Sequence, residues 1–410
     1  HKKLDDIVLH PVLGMILLLV ILFMVFQAVY TWAAPIMDAI EGGFTALGEW
    51  IGANMEPGIL SDLLVNGVIA GLGSVLVFLP QITILFAFIL LLEDSGYLPR
   101  AAFLLDNLMA KSGLSGRSFI PLLSSFACAV PAVMSARTIN DPRERLVTIA
   151  VAPLLTCSAR LPVYALIIAA VIPDRTVGGI FNLQGLTLFI LYLAGILSAA
   201  LAAYIMKRLA RMKGNVQQFP LLMELPTFRT PNFKHIMTSL WDRVKAFLKR
   251  AGTIIFALAV VLWGLVSWPQ PPAGATGAAI DYSLAGMLGH AIQPLFAPLG
   301  FTWEMCIAMI PGIAAREVVV AALGTVYAVS ASSEDAVQNA LIPIIHNNWG
   351  LPTAFAFLAW YVYAPMCAAT LAVIKRETKS TKNMVMITGY LFLMAYFAAF
   401  VVYQITSRIM

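Results

Sequence analysis

Hydrophobic positions fall into long unbroken runs along the chain, not onto one face of each segment. A run of about 20 apolar residues crosses a bilayer as a helix. Pro11–Ala34, Leu183–Met206, Thr253–Trp268, Thr353–Ile374 and Met384–Ile405 read as such spans. Ile59–Leu92 holds more than one span needs: Ile59–Phe78 reads as a partly embedded segment and Pro80–Leu92 as the inner part of a crossing. Arg145–Pro173 is also long enough, but Pro153, Arg160 and Pro162 interrupt its middle and predict a broken helix. Ser118–Met134 and Glu304–Val329 are apolar yet carry Pro, Gly or charge at their centres.

Polar residues then assign sides, because Lys and Arg collect on the cytoplasmic face. Lys207–Arg250 holds ten basic residues against Glu224 and Asp242, and Lys375, Arg376, Lys379 and Lys382 mark a second inward loop. Pro35–Glu56, Pro269–Trp303 and Ala331–Leu351 have no Lys or Arg and should face outward. Ser118–Met134 has arginines on both flanks and is expected to enter from the cytoplasm and return. Glu304–Val329 has base-free flanks and is expected to enter from outside. The count becomes seven crossings and two opposed re-entrant hairpins, with the N-terminus inside; an eighth crossing is the main alternative.

The two hairpin regions resemble each other. Gly113–Val130 lies over Gly300–Glu317 without a gap, and Cys157–Val163 matches Cys367–Val373 at four of seven positions. Two related units of opposite orientation, with broken helices near the midplane, are how many secondary transporters are built. The expected fold class is an all-α polytopic membrane protein of two inverted repeats. Its parts are an N-terminal juxtamembrane segment, first span and outer loop (1–58), a first gate repeat (59–206, hairpin near 118–134, broken helix 145–173) and a basic amphipathic segment (207–251). A linking helix and second gate repeat follow (252–410, hairpin near 304–329, helices 353–374 and 384–405).

Composition agrees. Of 410 residues 60% are apolar and 11% charged, against about a quarter charged in a soluble domain; mean hydropathy is +0.86. This excludes a disordered chain, a disulfide scaffold and a nucleic-acid-binding domain. The net charge of +5 reports topology, not a nucleic-acid partner. There is no HExxH, no Gly-x-Ser-x-Gly and no Gly-x-x-x-x-Gly-Lys-[Ser/Thr] phosphate loop, so this segment is expected to be no enzyme and to bind no nucleotide by that route. The abrupt start suggests a fragment of a longer chain.

The candidate chemistry sits at the breaks. Cys128 lies in Ser124-Ser125-Phe-Ala-Cys-Ala-Val-Pro131, at the expected hairpin tip. Cys157 lies in Pro153-Leu-Leu-Thr156-Cys-Ser158-Ala-Arg160-Leu-Pro162. A thiol beside freed carbonyls and Ser or Thr hydroxyls makes a cation site, and sulfur favours transition metals over Mg²⁺ or Ca²⁺. Met366 and Cys367 add sulfur in the equivalent place of the second unit. Cys306, on an unbroken stretch, reads as packing. Arg160 and the Arg316-Glu317 pair lie within apolar runs, where a charge costs about 2.5–3.5 kcal/mol by insertion scales and needs a partner or a cavity. Glu317 is the better ligand for a cation; Arg316 reads as an ion pair holding a hairpin. Glu93 and Asp94 end a crossing as an exit ligand or a solvated helix end. Trp241–Arg250 suits a helix at the membrane surface, where anionic lipid or a soluble domain docks.

The strings Leu9–Gly14, Leu92–Tyr97, Phe126–Pro131, Ala152–Tyr164, Met223–Pro226, Phe247–Thr253 and Ala314–Val320 together resemble the membrane domain of the ferrous iron transport protein B (FeoB) family. They come in that family's order and cover nearly the whole chain. The resemblance implies a fold similar to concentrative nucleoside transporter gate domains, and Fe²⁺ uptake across the bacterial inner membrane. It places the gate cysteines on Cys128 and Cys157 and the intramembrane Arg-Glu on Arg316-Glu317, with Ser125, Pro131, Thr156, Ser158, Arg160 and Pro162 in the gate motifs. It implies no cofactor in this segment, with GTP and Mg²⁺ confined to a preceding GTPase domain. It implies that domain, small cytosolic Feo accessory proteins and membrane lipid as partners, and leaves a homo-oligomer open. A nucleoside or small-solute carrier is the rival, since the gate motifs are shared.

Overall fold

The computed structural model describes residues 5–6, 8–111, 114, 116–126, 128–173, 175–177, 181–212, 228, 231–269, 282–313, 316, 318–327, 334–365 and 367–409. These are helical apart from turns, breaks and a two-residue antiparallel ladder in which Thr176 pairs with Asn182 and Val177 with Phe181. The protein is an all-α polytopic membrane protein. Among the described residues five stretches are long and apolar enough to span: Ile59–Asp94, Pro142–Val171, Leu183–Leu209, Leu351–Thr378 and Thr381–Ile409. A sixth arises if Leu284–Leu299 and Trp303–Gly312, bent by 107°, count as one.

One compact unit comprises residues 1–152 and 199–257. Its first helix, α1 (Leu13–Asn54), runs through Pro35 into the stretch read above as an outer loop. The reason is a stripe at helical spacing: Ala33, Met37, Ile40, Glu41, Phe44, Gly48 and Ile51 are the shielded positions of an otherwise exposed surface. Gly48 lets this stripe close on Val65, and Gly73, outside α1, makes room for Phe44, because small residues allow helices to approach without water to drive them together. The chain continues through α2 (Ile59–Asp62), a π-turn (Leu63–Ile69), α3 (Ala70–Val77) and α4 (Leu79–Asp94). After the left-handed Gly96 (φ 78°) come α5 (Tyr97–Lys111), α6 (Phe119–Ser125), α7 (Ala129–Ser135) and α8 (Pro142–Val151). Val8, Leu18, Tyr97, Ala101, Leu105 and Phe119 form a core of this unit.

Arg100 is buried within it. Its Nε donates to Asp5 at 2.6 Å, its Nη1 to the Gly96 carbonyl at 2.7 Å, and its guanidinium lies 3.7 Å from the Phe228 ring centre. The amphipathic segment is helical as α11 (Phe233–Phe247), capped by Asn232, and it buries Ile236, Val244 and Phe247.

The second unit comprises residues 153–198 and 258–410. It contains α9 (Leu161–Val171), α13 (Leu284–Phe296), α14 (Trp303–Gly312), α15 (Val318–Val326), α16 (Glu334–Asn348), α17 (Leu351–Tyr363), α18 (Ala368–Thr378) and α19 (Thr381–Ile409). The helices α10 (Leu183–Met212) and α12 (Thr253–Ser267) each belong to both units along their length. At 15 residues α12 is shorter than the span expected there.

Two helices, α13 and α16, occupy segments expected above to face outward and to which the charge pattern gave no element. The α13 helix packs on α14 with Gly289 against Ile307. The α16 helix buries Leu341 and Ile345, and its His346 Nδ1 lies 2.8 Å from the Ala170 carbonyl of α9. Phe296, Phe301, Phe357 and Trp360 form edge-to-face pairs in the core, with centroids 5.1 Å apart for Phe296–Trp360 and 5.5 Å for Phe301–Phe357.

Candidate gate and ion path

The first expected hairpin is two seven-residue helices, α6 and α7, packed against each other around Cys128. Cys128 is the N-cap of α7, with extended backbone (φ −155°, ψ 133°), and its N–H donates to the Ser124 carbonyl at 3.0 Å. Its side chain is partly exposed. Pro131 sits in the first turn of α7, where a missing N–H costs no helical bond. Ser125 is buried, and its hydroxyl donates to the Pro121 carbonyl at 3.2 Å.

Glu93 and Asp94, in the same unit, meet the amphipathic segment. Arg243 reaches Glu93 at 3.2 Å, and the Asn232 N–H donates to Asp94 at 2.7 Å. The side chains of Arg243 and Glu93 are 35% and 51% exposed, so water screens the pair. Arg243→Ala is expected to change the unfolding free energy by less than about 1 kcal/mol, read by thermal unfolding.

The other thiols belong to the second unit. Cys157 is buried, extended (φ −88°, ψ 164°), and caps the short 3-10 turn Ser158–Arg160. Pro162 lies in the first turn of α9. Thr156 is buried, and its side chain faces the buried Tyr164 hydroxyl. Gly195 of α10 abuts this break: a Cβ there would lie 2.9 Å from the Leu154 carbonyl oxygen.

The Arg160 side chain is fully buried. Its Nη2 donates to the Pro153 carbonyl at 2.8 Å, and its Nη1 reaches those of Leu155 at 3.3 Å and Leu154 at 3.4 Å. Among the described residues no carboxylate pairs with it. The carbonyls that the break frees, expected above to face a cation, therefore face a guanidinium.

The second hairpin places α14 and α15 on either side of Ile313 and Arg316; Glu317 lies outside the described residues, as does Met366. The helix expected over 353–374 is broken at Ala364–Cys367, between α17 and α18. Hairpin and break are laced together. The Tyr361 hydroxyl donates to the Arg316 carbonyl at 3.3 Å, Arg316 Nη2 to the Ala364 carbonyl at 3.2 Å, and the Ala368 N–H to the Ile313 carbonyl at 2.9 Å. Arg316, read above as one half of an ion pair whose expected partner Glu317 lies outside the described residues, donates to a backbone carbonyl of the break. Cys367 caps α18 with extended backbone (φ −163°, ψ 97°). Its thiol faces Thr370 and is close enough to Arg316 and Cys157 to interact electrostatically.

Cys157, Cys367 and Arg316 thus belong to one unit, with Arg316 bonded to the break that precedes Cys367, while Cys128, Glu93 and Asp94 belong to the other. Among the described residues no three of His, Cys, Asp or Glu cluster as a metal site. Sequence reasoning missed Tyr361, Thr370 and Gly195. It also missed the break at 364–367, whose signal was Pro365, since a residue before proline leaves the helical region.

Short hairpins, helices interrupted at cysteine, and arginines on the freed carbonyls define a polytopic gate-type membrane protein. A family model described as "Gate: Nucleoside recognition" matches residues 75–171 and 248–381. A second, "Ferrous iron transport protein B C terminus", matches residues 188–243. The chain belongs to the Gate family and is a FeoB-family membrane domain. It is similar to the Fe(2+) transporter FeoB of Leptospira interrogans serogroup Icterohaemorrhagiae serovar copenhageni, at 42% identity over 98% of this chain and 59% of that protein. The Leptospira biflexa protein of the same name is 40% identical over 99% of this chain and 59% of its own length. That of Staphylococcus aureus strain COL is 38% identical over 98% and 59%. The chain thus spans about 59% of the length of these relatives. No solved structure matches it.

Proposed function

We propose that this chain is the permease part of a GTPase-coupled Fe²⁺ uptake transporter of the bacterial inner membrane, with its N-terminus cytoplasmic. The observation that carries the reading is that Cys157 and Cys367, in the same unit, each stand on extended backbone where a helix is interrupted. Two soft sulfurs beside Thr156 and Thr370 suit a partly dehydrated Fe²⁺ and discriminate against Mg²⁺ and Ca²⁺; they do not by themselves reject Zn²⁺ or Cu⁺. Cys128, Ser125, Ser158, Met366 and Glu317 complete the proposed path. The relatives' names and the match over nearly the whole chain support Fe²⁺ as substrate. In this reading GTP and Mg²⁺ act only in a GTPase domain beyond this segment, which itself catalyses nothing and holds no cofactor. That domain and small cytosolic Feo proteins are the proposed partners, and Glu93 and Asp94, held by Arg243 and Asn232, lie at the face where nucleotide state would be felt.

The test is Fe²⁺ uptake into anaerobic proteoliposomes by the intact transporter. Cys157→Ser is expected to cut the initial rate about tenfold or more, the change that ~1.4 kcal/mol of lost transition-state binding produces, with unchanged thermal unfolding. Normal Fe²⁺ flux in Cys157→Ser would remove sulfur from the path. Nucleoside uptake by a wild-type protein that passes no Fe²⁺ would replace the iron reading with the solute-carrier one.

A further inference from the structure

In carriers built on broken helices, unwound carbonyls near the midplane coordinate alkali cations or protons. Irregular backbone at that depth must have every polar group satisfied by protein, water or an ion. The break at residues 153–157 meets this demand from within. The carbonyl oxygens of Pro153, Leu154 and Leu155, all in buried residues, converge on Nη1 and Nη2 of Arg160. Arg160 is fully buried, and among the described residues its Nε has no hydrogen-bond partner. Among the described residues the charge is thus held by carbonyl dipoles, the ligands that a Na⁺ or K⁺ would use, and not by a carboxylate. The second break repeats the arrangement from another element, with Arg316 donating to the freed carbonyl of Ala364.

We propose that Arg160 is the resident cation of its helix break, filling with a fixed guanidinium the carbonyl cluster that would otherwise take an alkali ion. A positive charge already in place repels a second one at hydrogen-bond distance. The break therefore offers no Na⁺ or K⁺ site, and a divalent metal passing Cys157 meets sulfur and hydroxyls in place of backbone oxygen. The first half of this inference does not depend on which solute the protein carries.

The experiment is thermal unfolding of the intact protein in nanodiscs along a NaCl or KCl titration, with choline chloride holding ionic strength constant. Wild type is expected to melt at one temperature throughout. Arg160→Met is expected to melt several degrees lower in choline and to recover saturably with Na⁺ or K⁺, because ligand that binds only the folded state raises its stability with concentration. Arg160→Lys keeps the charge and is expected to stay flat, like wild type. Saturable stabilisation of wild type by Na⁺ or K⁺ would overturn the proposal. So would an Arg160→Met protein that melts with wild type in choline, or one that melts lower with no difference between choline and the alkali salts; the arginine would then be packing only. Should Arg160→Met be recoverable from membranes only when Na⁺ or K⁺ is present, the proposal stands. Loss in every salt, with Arg160→Gln also blind to the cation, sinks it.

Discussion

Gly300→Ala is expected to lower the unfolding free energy by about 2–4 kcal/mol. Gly300 closes the 3-10 turn Ala297–Leu299 with φ at 74°, a left-handed conformation that costs an L-residue about 1–2 kcal/mol. Its N–H donates to the Ala297 carbonyl at 2.9 Å and its carbonyl accepts from the Thr353 hydroxyl at 3.1 Å, so the turn cannot swing away freely. A Cβ at this position would lie 2.1 Å from the Tyr403 ring, forcing that ring out of its place on α19; such overpacking costs typically about 1–3 kcal/mol. The two contributions separate in a double-mutant cycle with Tyr403→Ala, which removes the overlap and leaves the strained φ. Gly389→Ala in α19 is the control: nothing lies within 4 Å of a Cβ there. In a helix interior that change is expected to be neutral or to stabilise by about 0.5–1 kcal/mol. Equal melting of Gly300→Ala and wild type would mean the turn does not need its glycine.

Arg316→Met is expected to cost a further large amount, about 2–4 kcal/mol, and to loosen two segments at once. The Ala364 residue is 1% exposed, so a carbonyl left without Arg316 loses its partner without gaining water, at about 1–3 kcal/mol. The charged donor strengthens the bond that is lost. Because the Ala368 N–H and the Tyr361 hydroxyl tie the same hairpin to the same break, amide exchange over residues 364–371 and over the segment around residue 313 should quicken together. Tyr361→Phe, which removes one neutral bond, is expected to cost about 0.5–1.5 kcal/mol. Unchanged exchange in Arg316→Met would show that the hairpin and the broken helix are held independently.

Where the sequence foretold structure, the cause was covalent. Pro153 and Pro162 lack the N–H that an uninterrupted helix over 145–173 would need, and the chain leaves the helix between them. The thiols of Cys128 and Cys157 were legible for the same reason: each directly precedes a restarted turn, on extended backbone. The helix over 353–374 carried one proline in an otherwise unbroken apolar run, and hydropathy alone does not register the interruption at 364–367. Charge misled in a different way. The lack of Lys and Arg in 269–303 and 331–351 carries no information about conformation, and α13 and α16 lie there. Arg160 was visible as a charge needing a partner. That its partners would be three carbonyls five to seven positions earlier depends on how the chain turns back on itself, which residue types do not encode.

The buried Arg100 makes neighbours of places far apart in the chain. Asp5, the Gly96 turn and Phe228 all touch one guanidinium, beside the end of α4 where Arg243 and Asn232 hold Glu93 and Asp94. A guanidinium cannot bend, and its bonds to Asp5 and Gly96 share one rigid plane. Asp5 is therefore pinned to the turn after α4 by a rigid crosspiece, set beside the packing of Val8 with Tyr97 and Ala101 as a bolt is set beside a glued joint.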